Sequence, residues 1–225
     1  MAKPVARTVV AVVAVFWVLV RSTAGAEEEK KVVKLSPGPE WKIASMFSGK
    51  TNYYKVIEDG GKPVIRASYD PKLDTVIMYR KLKKPRVYSS MGWVWRVHKF
   101  PRDADETVEG RRDSAGAVYV YFKGTFREYV IKYVWSVALK KGAHFETADS
   151  NILKKMHLVV IEGPPPETGK WRTETVDLQA DFRRYFLGGK ADGEVPPVVG
   201  IGLLTDGDGT KSVVEADYAG FELRE

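Results

Sequence analysis

From Trp41 to Leu223 the chain rarely sustains an apolar pattern for longer than one strand. Eleven short runs rich in Val, Ile, Tyr, Trp and Thr follow one another, at 41–47, 53–57, 64–69, 75–82, 91–97, 117–122, 128–135, 156–161, 171–175, 198–204 and 212–223. Clusters of Gly, Pro and Asp separate them. β-Branched and aromatic side chains suit a pleated, half-buried surface, and many short strands with turns between them pack as two sheets. The chain therefore reads as mostly β, a jelly-roll-like antiparallel β-sandwich. One segment departs from this rhythm. In VDLQADFRRYFL, residues 176–187, Leu178, Phe182 and Tyr185/Phe186 recur at helical spacing, with Asp177 at the start, Arg183-Arg184 late and Gly188-Gly189 after. Acid first, base last and glycine beyond match helix polarity, so one helix is expected near residues 176–187.

Residues 1–26 are expected to be a signal peptide rather than part of the fold. Lys3 and Arg7 make a basic start, residues 8–20 are uncharged and almost wholly apolar, and Ala24-Gly25-Ala26 is a small-x-small cleavage site. Thirteen residues span roughly 20 Å as a helix, short of the roughly 30 Å of a bilayer core, so no stable membrane span is expected after cleavage. Residues 27–40 read as a charged lead-in and 41–225 as a single domain. The chain has no cysteine, which excludes thiol chemistry and disulfide staples. It also has no Asn-x-Ser/Thr sequon. Both fit a bacterial periplasmic or secreted protein. The leader takes three bases and no acid from the formal charge of +7. What remains is mildly basic, and no nucleic-acid partner is expected.

Candidate ligand residues lie on the aromatic strands. In GWVWRVHKF, Trp93 and Trp95 share one face while Arg96 lies on the other. Those tryptophans either fill the core or form a ligand platform. Tyr119 and Tyr121 share a face opposite Val118, Val120 and Phe122, and Tyr133 lies in a run of alternating Tyr, Ile and Trp. An exposed aromatic sheet face suits carbohydrate, because sugar C–H groups pack on rings while hydroxyls take hydrogen bonds. Asp113 sits in a charged loop after Arg102-Asp103-Ala104-Asp105-Glu106. Trp171 and Glu174 open a late strand. Glycoside chemistry needs two carboxyl groups that meet in space, and Glu174, Asp113 and Asp206 are the acids to consider.

The loop TDGDGT, residues 205–210, carries Asp206 and Asp208 as candidate metal ligands. An EF-hand loop requires a glycine where Lys211 stands, so that pattern fails, leaving a Ca²⁺ site built with Asp103 or Asp105, or a simple turn. No G-x-S-x-G, S-x-x-K or H-E-x-x-H pattern occurs, and His98, His144 and His157 show no zinc spacing. No catalytic residue is assigned.

The ordered set W-x-W-R-V, VYVYF, YVW, G-K-W-x-x-E, D-F-R-x-x-F, GIGLLTDGD and ADYAGFEL resembles a family of exported bacterial proteins described only as a domain of unknown function. The resemblance covers roughly residues 41–225. It implies a jelly roll related to galactose-binding-like modules, with no established activity. This chain departs from the family pattern at Arg112-Asp113, Ala117, Thr175-Val176 and Gly209, the last standing where an asparagine is usual. The expected function is a non-catalytic exported sandwich binding a carbohydrate or anionic envelope polymer. The alternatives are a polysaccharide-acting enzyme and an assembly protein without a small ligand.

Overall fold

The computed structural model describes residues 31–47, 49–164 and 167–225, so the expected signal segment lies outside the described residues. Along them the chain forms β1 (Val32–Leu35), β2 (Trp41–Ile43), β3 (Tyr54–Asp59), β4 (Lys62–Tyr69), β5 (Met78–Arg86), β6 (Ser90–Lys99) and β7 (Gly116–Lys123). There follow β8 (Glu128–Trp135), β9 (His144–Glu146), β10 (Lys154–Glu162), β11 (Arg172–Asp177), helix α1 (Leu178–Phe186), β12 (Val198–Leu204) and β13 (Val214–Arg224). One sheet runs β11-β6-β13-β4-β3, with β1 added against β13. The other runs β2-β5-β12-β7-β8-β10-β9. This is the expected mostly β, jelly-roll-like sandwich with one helix. One pair departs from the antiparallel rule, because β8 and β10 are parallel. The connection between them contains β9 and is long enough for the crossover that parallel pairing needs.

Alternation along β6 decides what fills the space between the sheets. Trp93, Trp95 and Val97 are fully buried, and Trp135, Tyr133 and Phe122 of the facing sheet are buried with them. Trp93 meets Trp95 edge-on at 5.6 Å, Trp95 meets Trp135 at 5.6 Å, and Trp93 meets Tyr133 at 5.8 Å. Tilted and edge-on contacts at these distances suit ring quadrupoles and add to the gain from burial. The two tryptophans are therefore core, not platform.

Helix α1 starts two residues later than its periodicity suggests. Val176 and Asp177 still pair with Met91 and Ser90 of β6, and Asp177 then caps the helix by accepting from the amides of Gln179 and Ala180. Leu178 and Phe182 are buried, and Phe182 packs on Phe122 and Tyr129. Two strands escape the sequence reading. β1 lies in the stretch read as a lead-in, and β9 is three residues long, too short to show a period.

On the outer face of the six-stranded sheet Asp217 of β13 stands between Arg66 of β4 and Arg96 of β6. Its carboxylate, with no exposed surface, accepts from Arg66 Nε at 2.8 Å and Arg96 Nε at 2.8 Å, and His98 Nε2 lies 2.8 Å away. Burial alone pushes this carboxyl up, but the hydrogen bonds from Arg66, His98 and Arg96 outweigh it and hold the group at about 2. A depressed carboxyl contributes stability above its unfolded value and loses it as pH falls through the folded one. Asp217→Asn leaves Arg66 without its counter-charge and Arg96 with Asp59 alone, and is expected to cost about 2–4 kcal/mol near neutral pH. Urea unfolding of wild type and variant, repeated near pH 3, checks both the size and the narrowing of the difference in acid.

Candidate functional site

One cross-strand row runs over the outer face of the seven-stranded sheet. Tyr79 of β5 pairs with Gly202 of β12, Gly202 with Tyr119 of β7, Tyr119 with Lys132 of β8, Lys132 with Leu158 of β10, and Leu158 with Phe145 of β9. All share a face because directly paired residues in a sheet point the same way. Tyr121 lies beside Tyr119, nearly parallel at 6.1 Å, and Tyr79 meets Tyr121 edge-on at 5.3 Å. Two glycines of β12 make room for these rings. A Cβ at Gly200 would sit 2.0 Å from the Tyr79 hydroxyl, and one at Gly202 would sit 3.1 Å from the Tyr121 ring.

The row ends in a cavity of about 560 Å³ whose polar lining includes Glu106, Asp113, Lys132, Asp206 and Asp208, with Arg112, Glu146 and Asp149 also on it and Tyr119 among its walls. Ligand pockets commonly run from about 300 to 1,000 Å³. Three ties fix its rim. Asp113 accepts from the amides of Gly209 at 3.0 Å and Thr210 at 2.7 Å. Asp206 accepts from the amide of Ser114 at 2.8 Å, and the Arg102 amide donates to Ser212 Oγ at 3.0 Å. The loops after β6 and after β12 are thus stitched together above the sheet edge.

TDGDGT is both a turn and a wall of this cavity. Thr205 continues inward to bond Tyr218, Asp206 continues outward into the cavity, and the chain turns only from Gly207. Within that turn the amides of Gly209 and Thr210 are held by Asp113 of the other loop. An asparagine at 209 has no room here, since a Cβ there meets the Gly110 carbonyl at 2.5 Å.

The electrostatics are unusual for a protein surface. Burial pushes Asp206 up to about 7, with nearby Lys132 pulling the other way. Burial also raises Glu106, whose Oε2 accepts from Ser136 Oγ at 2.6 Å while Oε1 is buried without a partner. Burial and then the adjacent Asp113 raise Asp208. Lys132 is 8 % exposed, its ammonium 5.6 Å above the Tyr119 ring, and among the described residues no side chain forms an ion pair or hydrogen bond with it. Carboxylate oxygens of Asp113, Asp206 and Asp208 all lie within 4.8 Å of one another, a grouping able to hold a metal ion.

The residues singled out from sequence separate into four places. Asp113, Tyr119, Asp206 and Asp208 meet in the cavity, with Tyr121 adjoining. Trp93, Trp95 and Tyr133 lie in the core, where the Tyr133 hydroxyl donates to Asp181 at 2.8 Å. Arg96 and Trp171 are on the opposite sheet, the guanidinium 4.5 Å over the indole, so Arg96 is committed to Trp171, Asp217 and Asp59. Glu174 is at the inter-sheet edge and accepts from Trp95 Nε1 at 3.2 Å. Asp103 and Asp105 do not join Asp206, because Asp105 turns back to the Thr107 amide and hydroxyl. Glu106 and Lys132 were not singled out. Lys132 carried a signal, a lone charge between Val130 and Val134 on one strand face.

Two packed sheets bearing a polar cavity on one outer face define the class, a jelly-roll-like β-sandwich. The chain belongs to the DUF3047 family of proteins of unknown function, whose profile matches residues 39–222. Comparison with curated proteins finds no match. Among solved structures the chain is similar to the Trichoderma harzianum endoglucanase 3 from family GH12, with TM-score 0.46 and 11 % identity over 89 % of this chain and 99 % of that one. It is also similar to the xyloglucanase domain of NopAA, a type three effector from Sinorhizobium fredii, solved with cellobiose, with TM-score 0.43 and 9 % identity over 85 % and 99 %. At these scores neither speaks to activity. Among the described residues no helix is long and apolar enough to cross a membrane.

Glu174 yields a test apart from the cavity. Burial, then the neighbouring Glu162, push its carboxyl up to about 7. A raised carboxyl favours the fold while protonated, so its contribution is present below the ordinary range and is lost as pH rises through about 7. Glu174→Gln keeps the acceptor for Trp95 and removes the titration. It is expected to gain on wild type by about 1–3 kcal/mol between pH 5 and 8, read as a flatter dependence of Tm on pH.

Proposed function

We propose that the chain binds carbohydrate on the outer face of its seven-stranded sheet. The observation that carries this is the continuity of three tyrosine rings with a cavity holding an unpaired ammonium and six carboxyl groups. A polyhydroxylated ligand needs both kinds of contact. Its C–H faces pack on Tyr121 and Tyr79, and its hydroxyls donate to carboxylates and accept from Lys132. A purely apolar ligand would leave the ammonium and acids unsatisfied, which costs more than the rings return. Export, expected from the N-terminal segment alone, would bring this face to envelope polymers.

The test is a binding screen against neutral and acidic oligosaccharides with wild type, Lys132→Met and Tyr121→Ala. Both variants are expected to retain the fold and to lose at least about tenfold in affinity, equivalent to about 1.4 kcal/mol. No bound glycan, or affinity unchanged in both variants, overturns the reading.

A second reading, hydrolysis of the bound glycan, is favoured by one observation: three buried carboxyl groups, Glu106, Asp113 and Asp206, line the same cavity, and Glu106 and Asp206 are the pair not engaged with the 209–210 amides. It predicts release of reducing ends from a polysaccharide panel, abolished by Glu106→Gln. A panel that yields no reducing ends removes this reading and leaves binding intact.

A further inference from the structure

We infer that Asp113, Asp206 and Asp208 form a divalent-cation site at the rim of the cavity, with Ca²⁺ as the ion. The three carboxylates come from two loops and approach within 4.8 Å. Two donors on one Ca²⁺ ion at 2.3–2.6 Å can lie at most about 4.6–5.2 Å apart, a bound compatible with the spacing of all three carboxylates. Asp113 and Asp206 are buried, and among the described residues no lysine or arginine pairs with any of the three. Like charges brought together in a buried corner repel unless a cation or protons intervene.

A second feature of the cavity points the same way. Glu106 is 4 % exposed, lines the same space, and its Oε1 has no hydrogen-bond donor. A buried carboxylate oxygen without a partner calls for an explanation, and in a polar cavity a bound water or ion supplies one. Among the described residues of the lining, Lys132 and the exposed Arg112 are the only bases, against six carboxyl groups: Glu106, the three aspartates, Glu146 and Asp149. Glu146 is offset by Lys155, and the remaining lining still carries more acids than bases, an excess that a dication would reduce.

The donor set chooses the kind of ion. All are oxygens, and among the described residues lining the cavity there is no histidine. Hard oxygen donors favour Ca²⁺ or Mg²⁺ over zinc or copper, and Ca²⁺ tolerates the irregular geometry of two loops. Three carboxylates leave several of its six to eight positions open for water or a ligand hydroxyl. The site stands whether or not a glycan binds there.

Thermal melts of the purified chain in Ca²⁺ and in chelator test it, together with terbium luminescence excited through the aromatic side chains, since Tyr119 lines the same cavity. At Ca²⁺ about a hundredfold above its Kd the Tm is expected to rise by about 5–10 °C over chelator. Terbium emission should appear and be displaced by Ca²⁺. Asp208→Asn, at an exposed position, should abolish both responses. In chelator it should melt no lower than wild type, because it removes one of three repelling charges. Equal wild-type melting temperatures in Ca²⁺ and chelator overturn the site, as does a Ca²⁺ response that survives in Asp208→Asn. None of these measurements uses a glycan, so they fail or succeed independently of carbohydrate binding.

Discussion

The packing of Trp93 and Trp95 between the sheets is the constraint on which the rest of the structure depends. Each strand of a sandwich has only two faces, so once the indoles turn inward on β6, Arg96 and His98 must turn outward and find Asp217. Across the interior, Tyr133 and Trp135 meet those indoles, which turns Lys132 of the same strand outward. Val118, Val120 and Phe122 fill the core beside them, which places Tyr119 and Tyr121 on the outer face. The two outer faces then have opposite characters. One is sealed by a satisfied ionic centre, while the other carries rings, an unpaired ammonium and acids around a cavity.

That contrast bears on function. Asp217 shows what a buried charge looks like when structure alone accounts for it: two guanidinium groups and a ring nitrogen within hydrogen-bond distance, and a carboxyl pulled down to about 2. Asp206 is equally enclosed, yet its one hydrogen bond comes from a backbone amide, and burial holds it near 7. Unpaired polar groups concentrated around one cavity cost stability and are kept where a ligand completes them. The hydrogen bonds that Asp113 accepts from the amides of residues 209–210 hold the acids in place beforehand, which would lower the entropy cost for the proposed ligand.

Much of this was legible in the sequence, and the gaps have physical reasons. Alternation revealed the strands and the shared face of Tyr119 and Tyr121, because period two is a local property. It left Trp93 and Trp95 open between core and platform, since alternation separates two faces without naming which is inside. The helix was visible from its stripe and caps. The partner of Asp206 was not: Asp113 is far away in sequence, and Asp103 and Asp105 were equally good acids until Asp105 was seen to bond Thr107. Lys132 stood out only as a charge between valines, and its meaning depends on the cross-strand register with Tyr119.

The outer face of the seven-stranded sheet, and not the Arg96–Trp171 face, is the proposed seat of the ligand. Amide shift mapping by NMR with a panel of neutral and uronic oligosaccharides tests it most directly. The account predicts perturbations confined to Tyr119, Tyr121, Lys132, the 205–210 loop and their neighbours. Shifts centred on Trp171 and Arg96, with the cavity residues unmoved, would contradict it.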